Sequence, residues 1–317
     1  MAVLPSRRRL IAPSIGRGIE EPAGTAFAAS MADVISAFQQ AMAAACIVAP
    51  PTIIADGNIH RFATSGRRQD DAGWYVIQPE SPAYGAFGDF RNGIRVPWHH
   101  GGHACRLDLR QKAKIAEQAE RRRIDALARH KHAAERARQL WASATPTMAS
   151  HPYILRKNVR PFGARLLGTC LVLPIRDLDG TLFSLQFIGV DGQKRLLTGG
   201  AKRGLVIPVH GDLSMPREVL ICEGWAIGAT LAVEKPTALV LAAIDVGNLQ
   251  LVTEKARGRW HEAVITVCAD ADPIGRMKAR AATVAGAAFL VIPVFPPGVD
   301  GTDFNDLAAL RAAGGEA

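Results

Sequence analysis

Two apolar, β-branched runs that each stop in acid constrain this chain more than anything else in it. Val219-Leu220-Ile221-Cys222 runs into Glu223-Gly224, and Val264-Ile265-Thr266-Val267-Cys268-Ala269 runs into Asp270-Ala271-Asp272. A short continuous apolar run is the pattern of a strand buried on both faces in a parallel sheet. In open α/β sheets the ligand crevice lies outside the carboxyl ends of the strands. If the two runs are neighbours, three carboxylates meet on one sheet edge, where they repel unless a cation stands between them. Hard oxygen ligands around an open position suit magnesium or manganese.

Downstream of Glu223 the alternation is regular. Helices are expected near 225–234, 248–257, 274–288 and 304–313, and strands at 238–243, 263–268 and 290–295. Asp272-Pro273 also reads as a helix entry, with the acid as N-cap and proline in the first turn. That is a competing employment for Asp272, and none is visible for Asp270.

Glu-Gly closing one strand and Asp-X-Asp closing a later one resembles the Toprim (topoisomerase-primase) domain. Gly301-Thr302-Asp303-Phe304-Asn305-Asp306 is similar to the acidic loop that completes this site in primases. Over about residues 150–310, and more weakly over about 50–100, the chain resembles the catalytic region of phage- and plasmid-encoded primases. The fold this implies is α/β: a Toprim-type open, mostly parallel sheet with helices on both faces, after an α+β subdomain and a small β-rich N-terminal module. The expected divisions are a disordered tail at 1–30, the β-rich module at 31–105 and a basic helical linker at 106–145. A primase-core subdomain at 146–215 and the Toprim domain at 216–317 follow.

The function implied is synthesis of short RNA primers on single-stranded DNA by metal-dependent phosphoryl transfer. Under it, Glu223 positions a metal or serves as general base, and Asp270 and Asp272 bind Mg2+ or Mn2+ with Asp303 and Asp306 in support. Single-stranded DNA, ribonucleoside triphosphates and a separate replicative helicase are the implied partners. Two alternatives stay open: a Toprim nuclease using the same acids, and a non-catalytic nucleic-acid binder or helicase loader. A topoisomerase would need a nucleophilic tyrosine, and only Tyr75, Tyr84 and Tyr153 exist.

Charge points the same way. The formal net charge is +9, which favours a polyanionic partner. Asp191-Gly192-Gln193-Lys194-Arg195 and Gly199-Gly200-Ala201-Lys202-Arg203-Gly204 are glycine-bearing loops ending in adjacent bases. Glycine lets a ligand approach the backbone closely, and the bases supply charge to phosphate. Lys194, Arg195, Lys202 and Arg203 are therefore the expected nucleotide or template contacts. The segment 107–142 is a basic helix, and Leu171–Ile175 and Leu182–Ile188 flank an Asp177-Leu178-Asp179-Gly180 turn as a hairpin.

The N-terminal third is read as strands near 56–62, 73–77 and 85–93, after a helix starting at Met31, a candidate true start. Trp74, Tyr75, Phe87, Phe90 and Trp98 beside Arg61, Arg67, Arg68 and Arg91 suit base stacking, or else they are the core of a small module. Five dispersed cysteines with no C-x-x-C pair indicate a reducing cytoplasm and no zinc ribbon. His99, His100, His103 and Cys105 cluster without a second ligand group, so a solvated loop is expected there. No apolar run approaches the ~20 residues of a membrane span.

Overall fold

Ser30 and Asp33 start the first element by exchanging hydrogen bonds. The Asp33 amide donates to Ser30 Oγ at 3.2 Å, and the Ser30 amide donates to Asp33 Oδ2 at 3.1 Å. This reciprocal cap opens α1 (Met31–Ala44), whose Val34, Phe38 and Met42 recur at one-turn spacing and are buried. The computed structural model describes residues 30–65, 70–80, 82–101 and 109–314 and falls into two units, divided between Lys112 and Ala113. Apart from Ser30, the tail expected at 1–30 lies outside the described residues, as do Arg67, Arg68, His103 and Cys105.

In the first unit α1 packs on a four-stranded antiparallel meander of β1 (His60–Phe62), β2 (Gly73–Gln78), β3 (Tyr84–Asp89) and β4 (Ile94–His99). Phe38 meets Tyr75, Phe87 and Trp98 edge-on, with ring centroids 6.0, 5.4 and 5.0 Å away. Of the two readings of these aromatics, the core holds for four: Trp74, Tyr75, Phe87 and Trp98 are buried, and Phe90 alone of the five is exposed. A sheet this small has few other side chains large enough to fill its core. β4 also replaces part of the loop expected at Trp98-His99. Pro97 argues against a central strand, but β4 is an edge strand, where a missing amide costs nothing.

The second unit contains most of α2 (Leu109–Ser143), then β5 (Thr145–Pro146), α3 (Pro152–Lys157), β6 (Arg165–Leu167), β7 (Cys170–Arg176), β8 (Leu182–Ile188) and β9 (Lys194–Leu196). The five strands form one antiparallel sheet in sequence order. α2 does more than connect. Ala133 and Ala137 are buried against Val172, Leu182, Leu185 and Leu197, so its last turns belong to this unit's core.

A second five-stranded sheet carries the acid-terminated runs. Its elements are β10 (Ile207–His210), β11 (Glu218–Cys222), α4 (Trp225–Glu234), β12 (Leu239–Ala242), α5 (Leu249–Arg259), β13 (Val264–Cys268), α6 (Pro273–Gly286), β14 (Phe289–Val291) and α7 (Phe304–Ala312). The spatial order is β10-β12-β11-β13-β14, antiparallel at β10 and parallel elsewhere. β10 enters this sheet from upstream of residue 216. Leu220, Cys222, Val240 and Ala242 face one core with Trp225 and Ala229, whereas Val219, Ile221, Leu239 and Leu241 face the other with Leu249, Val252, Ala279 and Ala282. Alternate residues thus bury opposite faces, each full burial worth about 1.5–3 kcal/mol per large apolar side chain. Cys222 and Cys268 are buried free thiols. Among the described residues no helix is long and apolar enough to cross a membrane.

Candidate active site

Register places the acids. Cys222 stands opposite Cys268, so the strands end level and release Glu223 and Asp270 onto the same edge. The next corner is tied in by the Ala271 amide, which donates to Thr302 O at 2.6 Å. This brings the Asp303–Asp306 turn beside Asp270–Asp272. Gly275 permits the close approach of α6: a Cβ there would lie 2.9 Å from Asp270 O and 3.1 Å from Asp270 Cβ.

The acids that meet here are not equivalent. Asp272 is the N-cap of α6, accepting from the amides of Ile274 and Gly275 at 2.8 and 2.9 Å. Asp303 caps α7 through the Asp306 amide at 2.9 Å, and Asp306 Oδ2 accepts from the Thr302 amide at 3.0 Å. Asp306 also has Lys157 Nζ 3.8 Å away. Asp270 has no such support, since its Oδ1 is buried and has no hydrogen-bond partner. Burial, and then the charges of Glu223, Asp303, Asp272 and Asp306, push its carboxyl up to about 7. Burial also raises Glu223; Lys194 opposes that shift, while Asp245, Asp272 and Asp303 add to it.

A buried, unpartnered carboxylate oxygen amid like charges fits a divalent cation, as does the all-oxygen donor set. The set is open rather than prebuilt: among the described residues no three His, Cys, Asp or Glu side chains stand close enough to hold an ion as placed. The capping bonds of Asp272 and Asp303, and the bond that Asp306 accepts from Thr302, leave all three with further lone pairs for a ligand role.

The four expected bases separate by position. Lys194 comes to the site, its Nζ 3.6 Å from where a Cβ on Gly224 would sit. Arg195 follows it on the exposed strand β9, where successive side chains take opposite faces. Lys202 pairs with Asp245, and Arg203 is exposed on the same loop.

Asp245 escaped the sequence reading. It lies three residues beyond the end of β12, so the rule that located Glu223 and Asp270 would have found it too. Ile244 before it has φ 77°, a conformation that β-branched residues rarely adopt and that clusters at functional sites. Trp225, next to the Glu-Gly pair, is buried and donates from Nε1 to Phe162 O at 2.8 Å, which fixes the start of α4.

Comparison with known proteins bears on the segment that carries these acids. The Toprim domain family profile matches residues 218–314. The chain is 30% identical over 274 residues to DNA primase TraC of Escherichia coli, a match covering 80% of this chain and 26% of that protein. A second Escherichia coli DNA primase TraC is 27% identical over 276 residues, covering 81% of this chain and 19% of that protein. The chain thus spans about a fifth to a quarter of the length of these curated relatives. Among solved structures, the primase fragment of the bacteriophage T7 primase-helicase protein is similar at TM-score 0.37 and 14% identity, over 48% of this chain and 62% of that one. The edge built by Glu223, Asp270 and Asp272 lies within the matched segment, and residues 218–314 form a Toprim domain.

Proposed function

We propose that this chain is a primase-type nucleotidyltransferase that joins ribonucleotides into short primers on single-stranded DNA. The observation that carries the reading is Asp270: a buried carboxylate with an unpartnered oxygen, surrounded by acids, on a sheet edge flanked by Lys194 and Lys202. A structural acid would have donors, and a surface that only held nucleic acid would gain nothing from carboxylates facing phosphate. Likeness to the two TraC primases over four-fifths of the chain supports the same reading.

In this proposal Glu223, Asp270 and Asp272 hold a divalent cation, Mg2+ or Mn2+, with Asp303 and Asp306 in support. When bound, the ion supplies charge neutralisation for phosphoryl transfer. Glu223, with its raised affinity for a proton and Lys194 beside it, is suited to orient or deprotonate the attacking hydroxyl. Lys194, Arg195, Lys202 and Arg203 offer charge to the triphosphate and the template backbone. A separate replicative helicase belongs to the same proposal as partner.

The test is a product gel. Protein, single-stranded DNA, four ribonucleotides and magnesium or manganese should yield short RNA. Shortened DNA in place of RNA would establish the hydrolytic alternative. Strand binding with neither product would sink both.

A further inference from the structure

The loop carrying Lys202 and Arg203 is glycine-bearing and exposed at its basic tip, yet one side chain makes most of the bonds that fasten its base to the Toprim sheet. Asn248 is 4% exposed, at the start of α5. Its Oδ1 accepts from the Gly204 amide at 2.6 Å. Its Nδ2 lies within donating distance of three carbonyls: Lys202 at 3.1 Å, Leu205 at 2.9 Å and Ala243 at 2.9 Å. Three of these four partners lie on the basic loop, and the fourth, Ala243, leads back to the acid edge. The Ala243 amide donates to Cys222 O at 2.8 Å, one residue before Glu223. The Asn248 amide in turn donates to Asp245 Oδ1 at 3.1 Å, the carboxylate whose other oxygen holds the Lys202 ammonium. Lys255 adds a bond to Gly204 O at 3.0 Å.

We propose that Asn248 is a positioning residue that sets the Lys202–Arg203 loop at a fixed distance from Glu223, so that a nucleoside triphosphate reaches the acid edge with its phosphates already held. The inference rests on the primase reading and deepens it. Asn248 needs no contact with the nucleotide; it acts through Lys202. Only an amide serves here, because a carboxylate accepts from Gly204 but cannot donate to the carbonyls, and an alkyl side chain does neither. Holding the bases in place before the ligand arrives removes the ordering cost that a loose loop would impose on binding.

Asn248→Asp keeps the side-chain shape and the bond from the Gly204 amide but loses the contacts to the carbonyls, and Asn248→Ala removes both kinds. In either variant, hydrogen exchange at residues 202–206 should accelerate while exchange in β11 and β13 stays unchanged. Calorimetric affinity for ATP with magnesium should fall about tenfold, the scale on which supporting hydrogen bonds act on a site, with KM for ribonucleotides rising in step and kcat nearly constant. Lys202→Ala should lose as much alone, and adding Asn248→Asp to it should lose little more, because the two act as one unit. Wild-type exchange and affinity in Asn248→Asp would overturn the positioning role, and so would fully additive losses in the double variant. If the wild type makes no RNA but its ATP affinity still shows this pattern, the primase reading fails and the positioning role stands. If the wild type binds no ATP with magnesium, both fall.

Discussion

Ala271 and Thr302 are joined main chain to main chain at 2.6 Å, and this bond sets the Asp270–Asp272 corner against the Asp303 turn. No side chain chooses the pairing. Two segments 31 residues apart are brought together by β13 and the chain leaving β14, and their acids are carried along. Asp270 and Glu223 bear the repulsion this creates, because Asp272 and Asp303 are occupied as helix caps, and of the two Asp270 has a buried oxygen with no partner.

Asp270→Asn should therefore stabilise the metal-free protein. The folded-state carboxyl titrates at about 7, above its ordinary value of 3.8, so its ionisation works against folding. The penalty is absent below about pH 4, grows as pH rises to about 7, and is constant above. Thermal melts in chelator should show wild type and variant together near pH 4 and the variant ahead at pH 8. A gain of about 1 kcal/mol would appear as a shift of about 2–4 °C. A variant that melts early at pH 8 would make Asp270 a structural acid.

Magnesium should reverse that ranking. An ion that binds only the folded state raises the melting temperature. The rise should be large in wild type and small in Asp270→Asn and Glu223→Gln, both of which should lose primer synthesis by orders of magnitude. Asp272→Asn separates the two employments of that residue, since asparagine is as good an N-cap as aspartate. It should keep the apo melting temperature and lose the magnesium response, whereas Asp272→Ala should also lose about 1 kcal/mol of stability.

The bases should act through phosphate. Alanine at Lys194 or Lys202 should weaken single-strand binding for all sequences alike, each lost contact flattening the salt slope by about 0.7. Arg195 and Arg203 are tested in the same titration. Unchanged slopes would mark that residue as solvated surface.

In the N-terminal unit, Phe90 is 59% exposed with the Arg61 guanidinium 4.4 Å from its ring centre. Phe90→Ala should leave the melting temperature almost unchanged. If a base stacks there, the same change should weaken single-strand binding by about 1–3 kcal/mol. Trp98→Ala should instead destabilise by about 3–5 kcal/mol through lost core. Equal effects from the two would place Phe90 in the core as well.

Ser30 should matter where the residues before it need not. A chain beginning at Met31 loses the reciprocal cap of α1 and should lose about 1 kcal/mol, as should Ser30→Ala in the full chain. A chain beginning at Ser30 should recover part of that loss. Melting of all three at the temperature of the unaltered chain would show the cap to be dispensable.

Local pattern was enough to locate the strands ending in Glu223 and Asp270, the helices between them and the cap at Asp272–Pro273. Apolar runs, acids and proline act over a few residues, so they can be read without knowing what lies across the sheet. The same logic missed Asp245, because β12 was followed only to its end and not into the turn beyond it. Tertiary structure decided the rest. Whether Tyr75, Phe87 and Trp98 stack on bases or fill a core depends on Phe38, which reaches them from a helix at least 37 residues away. Which acid is left without a donor depends on how α6 and α7 take up Asp272 and Asp303, and Asp270 is left over by that geometry. Asn248 looks like any helix-start asparagine until the loop at Lys202–Leu205 folds onto it from more than forty residues upstream. Burial and long-range hydrogen bonding belong to pairs of segments, and no single segment carries their record.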